Sequence, residues 1–244
     1  MGKVYIVGAG PGDFELLTLK AYRLLKEADV ILYDRLVGEE IESFIKTLGK
    51  EIIYVGKERG EKGERRQKEI NRLMKKYFEE GKKVVRLKGG DPGIFGRMAG
   101  EIEFLAENGI PFEVVPGVSS VNAAPVCSGI PLTHPENSYG FLVVSGKNSG
   151  RIKELHQEGT LIILMGGCTA KEVAKNLIEA GVSTDKDVAI IEKGSMEDQR
   201  VTLTKLGELV EKDFNFESPA LIVVGHVARF ARFYQNNRNE DRKI

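Results

Sequence analysis

VVRLKGGDPGIFGR, residues 84–97, is the stretch whose reading decides the fold. The run at 84–87 predicts a buried strand. It stops at Gly89, Gly90, Asp91, Pro92 and Gly93, which continue neither a strand nor a helix interior. A strand ending in paired glycines presents bare amide and carbonyl groups to its surroundings. Asp91 adds a carboxylate at the edge where open α/β sheets bind ligands, and Ile94 and Arg97 follow in the same loop. A tight turn with Asp91 capping the next helix is the simpler alternative.

Upstream, KVYIVGAGPGDFELLTLKAYRLLKEADVILYDRLV at 3–37 predicts a strand at 4–7, a glycine-rich turn at 8–13, an amphipathic helix at 16–26 and a second strand at 30–33. This βαβ start suggests a nucleotide fold. The dinucleotide fingerprint, however, wants its third glycine where Asp13 stands, and Pro11 removes an amide that a phosphate would use. A nicotinamide dehydrogenase is therefore the runner-up. Asp34 follows the second strand directly, as an acid or base at the ligand edge or as a cap for the segment beginning at Leu36. After a helix at 39–48 and a third strand, Lys57, Arg59, Lys62, Arg65 and Arg66 form a cationic loop. It either holds an acidic substrate or is simply solvated.

Downstream, a helix is expected at 100–108 and a strand at 112–115. Pro116-Gly117 breaks that strand, and Ser119, Ser120, Ala123 and Ala124 follow, small enough for close approach by the sheet or by a flat ligand. Residues 129–139 read as a linker. Beyond them come strands at 141–144, 160–165, 188–191 and 220–224, and a helix at 170–180. The strand ends at Met165-Gly166-Gly167 and Lys193-Gly194-Ser195 are candidate ligand edges, although Met165 also suits a core. The expected organisation is an α/β unit at 1–134, a second at 135–235 and a polar tail at 236–244.

Composition narrows the function. Lys plus Arg and Asp plus Glu both number 36 in 244 residues, so no basic field favours nucleic acid or acidic lipid and a small-molecule partner is expected. Two cysteines, Cys127 and Cys168, lack metal-ligand spacing and suit free thiols in a reducing cytoplasm. No apolar run approaches the roughly 20 residues of a membrane span, and the first residues read as a strand rather than a targeting peptide. A soluble cytoplasmic protein without a membrane or nucleic-acid partner is expected.

VGAGPGD at 7–13, LLTLKA at 16–21, ADVILYDRLV at 28–37, VVRLKGGDP at 84–92, IFGR at 94–97, VVPGVSSVNAAP at 114–125, GIPLTH at 129–134 and PALIVVG at 219–225 together resemble the S-adenosylmethionine-dependent tetrapyrrole methylase family. The resemblance implies two α/β domains of the tetrapyrrole methylase type, with S-adenosylmethionine in the cleft between them, usually as a homodimer. It further implies methylation of uroporphyrinogen III at two ring carbons, through precorrin-1 to precorrin-2, for sirohaem and cobalamin synthesis. A later precorrin is the alternative substrate. By position, the family's cofactor contacts fall on Pro11, Gly89, Gly90, Asp91, Ile94, Ser119, Ser120, Met165 and Gly194. Asp34 matches the proton acceptor and Lys57 the proton donor, with Arg35, Arg59 and Arg97 as candidates for the substrate carboxylates. Leu164 stands where a tyrosine is usual, Ser119-Ser120 where Thr-Ala is common, Pro135 where an arginine is common, and Gly100 where an acidic residue is expected.

Overall fold

The computed structural model describes residues 2–56, 63–147, 150 and 159–234. Lys57, Arg59 and Lys62 of the cationic loop, and the tail at 236–244, lie outside the described residues. The chain divides into two compact units, Met1–Ser120 and Val121–Ile244.

The first unit is built on β1 (Lys3–Gly8), β2 (Val30–Tyr33), β3 (Glu51–Tyr54), β4 (Lys83–Lys88) and β5 (Phe112–Val115). They form one sheet in the order β3-β2-β4-β1-β5, and every adjacent pair is parallel. Helices α1 (Leu19–Glu27) and α2 (Glu39–Thr47) cover one face, where Ala21, Leu24, Leu25, Ile41 and Ile45 pack on Val7, Ile31, Val85 and Leu87. Helices α3 (Gly63–Glu79) and α4 (Met98–Glu107) cover the other, where Ile70, Met74 and Leu105 pack on Val4, Ile6, Leu32 and Val84. A sheet with helices on both faces buries its central strands completely, and the four residues of β2 are all buried.

This arrangement fixes where the strand-end loops diverge. The chain leaves β1 and β2 toward the α1/α2 face and leaves β4 toward the α3/α4 face. β4 lies between β1 and β2, so oppositely directed loops part on both sides of it, and such a switch point is where open α/β sheets place ligands. The helix expected from residue 16 starts later. Asp13 caps a short 3-10 turn, Phe14–Leu16, by accepting from Glu15 N at 2.8 Å, and Thr18 caps α1 by accepting from Ala21 N at 3.1 Å.

The second unit contains α5 (Ser120–Cys127), which begins at the division, then β6 (Phe141–Ser145), β7 (Thr160–Leu164), α6 (Ala170–Glu179), β8 (Asp187–Glu192), β9 (Arg200–Lys205), α7 (Leu206–Glu211) and β10 (Ala220–Val224). Its sheet runs β6-β7-β10-β8-β9. Only β6 and β7 are a parallel neighbouring pair, and the other three pairings are antiparallel. The division falls after Ser120 rather than after residue 134 because Val121, Ala124 and Ile130 pack on Ile162, Ile191, Leu221 and Val223 of this second sheet. The segment expected as a linker is therefore part of a core. No helix among the described residues is long and apolar enough to cross a membrane.

Glu113 on the edge strand β5 accepts ion pairs from Lys20 at 2.5 Å and Lys3 at 2.7 Å. The hydrogen bonds from Lys20 and then Lys3 hold its carboxyl down at about 2, against an ordinary 4.5. A depressed carboxyl contributes stability that is complete above the unfolded value and is lost as pH falls through the folded one. Glu113→Gln should thus unfold at lower urea than the parent at neutral pH, with the gap closing between pH 4.5 and about 2. The gap should also narrow in salt, because the carboxylate is partly exposed.

Candidate functional site

In the first unit, the loops after β1 and β4 are stitched to each other by main chain. Ala9 N donates to Lys88 O at 2.7 Å, Gly90 N to Gly10 O at 2.6 Å and Gly10 N to Gly90 O at 3.2 Å. The sheet is thereby extended one step beyond its strands, and Pro11 is buried at its end.

The paired glycines do different jobs. A Cβ on Gly89 would run into the carbonyl of Leu36, so the turn after β2 packing against residue 89 requires a glycine there. Gly90 has φ +67°, and a Cβ there would meet nothing nearer than Ser120 N at 4.0 Å. Its surroundings are open, which is the environment expected of backbone offered to a small molecule.

Asp91 accepts from Gly93 N at 2.8 Å through Oδ1 and from Gly117 N at 3.0 Å through Oδ2. One carboxylate thus shapes its own turn and ties the β4 loop to the loop after β5. Ser119 and Ser120 follow that tie and are half-buried. Ile94 is 44% exposed and Arg97 is exposed.

Asp34 lies at the carboxyl end of β2, beside β4. It does cap, since Oδ1 accepts from Leu36 N at 3.1 Å at the start of the 3-10 turn Arg35–Val37. Oδ2 accepts from Arg86 Nη2 at 2.9 Å. Arg86 is itself buried, donating through Nε to Glu101 at 3.2 Å and through Nη1 to Leu87 O at 2.7 Å and Leu32 O at 3.5 Å. Lys88 Nζ reaches both oxygens of the fully buried Glu101 at 2.9 Å. Burial, and next the nearby Arg86 charge, push the Lys88 ammonium below its ordinary value. The sequence reading passed over Arg86, Lys88 and Glu101. The available signal was two cations, Arg86 and Lys88, at alternate positions within the run at 84–88 that is otherwise apolar, which burial makes costly unless a carboxylate meets them.

In the second unit, β7 and β8 both pair antiparallel with β10 and so point the same way, one strand apart. Met165 after β7 and Gly194 after β8 therefore share one edge of that sheet. Met165 is 41% exposed, which separates it from the core. Ser195 N donates to Gln199 Oε1 at 2.7 Å, and Gln199 Nε2 reaches Cys127 O at 3.1 Å, so the loop after β8 is braced by α5.

Phe95, Arg97, Met165, Lys193 and Ser195 are the non-glycine residues with positive φ among the described residues. All stand in the loops after β4, β7 and β8. Side chains avoid this conformation unless their surroundings impose it, and such positions concentrate at ligand sites. The sequence carries no cue for them.

The family model for Tetrapyrrole (Corrin/Porphyrin) Methylases matches residues 3–210. The chain belongs to this family. It is 43% identical to a uroporphyrinogen-III C-methyltransferase of Methanocaldococcus jannaschii, over 93% of this chain and 96% of that one. It is also 43% identical to a siroheme synthase of Saccharophagus degradans, over 93% of this chain but 51% of the relative. The chain thus spans about half the length of the siroheme synthases it matches. Among structures, the uroporphyrin-III C-methyl transferase of Thermus thermophilus complexed with S-adenyl homocysteine superposes with a TM-score of 0.80 at 42% identity, covering 93% of each chain. The two-unit α/β architecture expected of the family is the one described above.

Removing the Asp91 carboxylate would leave two loop amides without their acceptor. Asp91→Ala should therefore lower unfolding free energy by about 1–2 kcal/mol, read from urea midpoints. Asp91→Asn, which keeps a carbonyl oxygen, should lose less.

Proposed function

We propose that this chain transfers methyl groups from S-adenosylmethionine to two ring carbons of uroporphyrinogen III, giving precorrin-2 by way of precorrin-1. The reading is supported by family membership and by the names carried by relatives at 43% identity. The observation that carries it is the switch-point edge itself: open backbone at Gly90 with Asp34 held at the end of the neighbouring strand. The residues present fit the donor. In the first unit Gly90 leaves room for close approach, Ser119 and Ser120 carry hydroxyls, and exposed Ile94 offers apolar surface for a flat base. Pro11, Gly89, Asp91, Met165 and Gly194 complete the proposed cofactor set, with Gly89 and Asp91 acting through loop shape.

The sulfonium donor supplies an electrophilic methyl carbon. The chain's own contribution is placement, since in-line displacement depends on holding donor and nucleophilic carbon in register. Attack by an electron-rich pyrrole carbon leaves the macrocycle with one positive charge. That charge is discharged when a ring proton passes to the Asp34 carboxylate, which becomes the neutral acid. Lys57 is proposed as the proton donor, and Arg35, Arg59 and Arg97 as partners of the substrate carboxylates. Arg35 and Arg97 are exposed and stand just beyond β2 and in the β4 loop. The enzyme is proposed to act in the cytoplasm as a homodimer.

Incubation with uroporphyrinogen III and methyl-labelled donor should place label at two ring carbons. Label entering only a later precorrin would replace the substrate assignment. Asp34→Asn should keep calorimetric affinity for S-adenosylhomocysteine and lose turnover by about 10²-fold or more; undiminished turnover would reject the proton-acceptor role. Reversing charge at Arg35 and Arg97 together should raise KM for the porphyrinogen at low salt, with the difference fading as salt is added.

A further inference from the structure

We infer that Arg86 is a positioning residue for Asp34, holding its carboxylate in the orientation that proton removal requires. The inference rests on the reading of Asp34 as proton acceptor.

The geometry leaves the Arg86 guanidinium no freedom. Nε is taken by Glu101, Nη1 by the carbonyls of Leu87 and Leu32, and Nη2 by Asp34. Arg86 is 4% exposed, whereas the Asp34 side chain is 24% exposed. A rigid fork thus reaches out from the core to a carboxylate that still meets solvent. Asp34 is pinned at both oxygens, by Leu36 N on Oδ1 and Arg86 on Oδ2, which fixes the plane of the group. Each oxygen retains a second acceptor direction.

Fold stability alone gives a poor reason for this arrangement. Burying ions on the face shared with Ile6, Leu32 and Val84 is costly, and apolar residues of similar volume serve a core as well or better. The remaining charges complete a neutral set, Asp34 and Glu101 against Arg86 and Lys88. Glu101 from α4 holds both cations at once, and α3 adds Gln67 Nε2 at 3.3 Å. Glu101 thereby prevents Arg86 from swinging outward to pair with Asp34 in other geometries, and Lys88 prevents Glu101 from carrying an uncompensated charge.

A double-mutant cycle tests this. Arg86→Gln, Asp34→Asn and the double variant are assayed for kcat and KM with uroporphyrinogen III, for S-adenosylhomocysteine affinity and for thermal midpoint. Arg86→Gln should lose kcat by up to about 10²-fold while KM and S-adenosylhomocysteine affinity hold. The double variant should be no slower than Asp34→Asn alone. An unaltered kcat in Arg86→Gln, or losses that multiply in the double variant, would overturn the inference. Full turnover in Asp34→Asn would instead sink the proton-acceptor reading, and this inference with it. Should Arg86→Gln fail to fold, Arg86→Lys keeps the charge without the two-armed geometry. It should fold and still turn over several-fold more slowly than the parent, and complete recovery of kcat would reduce Arg86 to a counterion.

Discussion

The main-chain pairing of Gly10 with Gly90 is the constraint on which the first unit's loop edge depends. β4 is inserted between β1 and β2, so its outgoing loop and theirs turn to opposite faces. Left alone, such loops would splay apart. The reciprocal hydrogen bonds at 2.6 and 3.2 Å hold two of them in contact, and Asp91 extends the tie to a third through Gly117. The result is a rim of main chain whose shape is set by pairing rather than by side-chain packing. Small departures from planarity or spacing there are resisted by the whole sheet.

Beneath that rim lies the ionic set of Arg86, Glu101 and Lys88, joined to Asp34. It links the end of β2, the strand β4 and the helix α4 across a face that is otherwise apolar. In the proposed methyl transfer the rim supplies place and the ionic set orientation, since the barrier of such a displacement is lowered chiefly by alignment and by prompt removal of a proton.

Much of this was legible in the sequence. Apolar runs located β1, β2, β4 and β10, because strands in the interior of a sheet covered on both faces leave a block of Val, Ile and Leu whether their neighbours are parallel or antiparallel. Asp34 could be placed at a strand end from its neighbours alone. β9 escaped notice although Val201, Thr202, Leu203 and Thr204 alternate, because the strand is only half-buried and has no glycine stop. The division after Ser120 was also hidden, since the small residues of α5 suit either sheet and only packing decides between them. Gly89 and Gly90 look alike in sequence, yet one is required by a neighbouring carbonyl and the other by φ. Arg86 sat inside a run read as apolar. Its counterion is contributed from Glu101 on a helix 15 residues away, a distance that no local pattern spans.

The strand order has a consequence for birth on the ribosome. Among the described residues β1 pairs with β4 and β5 alone, so it has no sheet partner until residues 83–88 have emerged, whereas β2 and β3 can pair with each other earlier. β7 likewise acquires its second neighbour only when β10, about 60 residues further along, has been made. Each half must therefore keep an apolar ribbon waiting during synthesis, exposed to whatever else is nascent nearby, and rapid closure of the interior strand governs how much of the product escapes clumping.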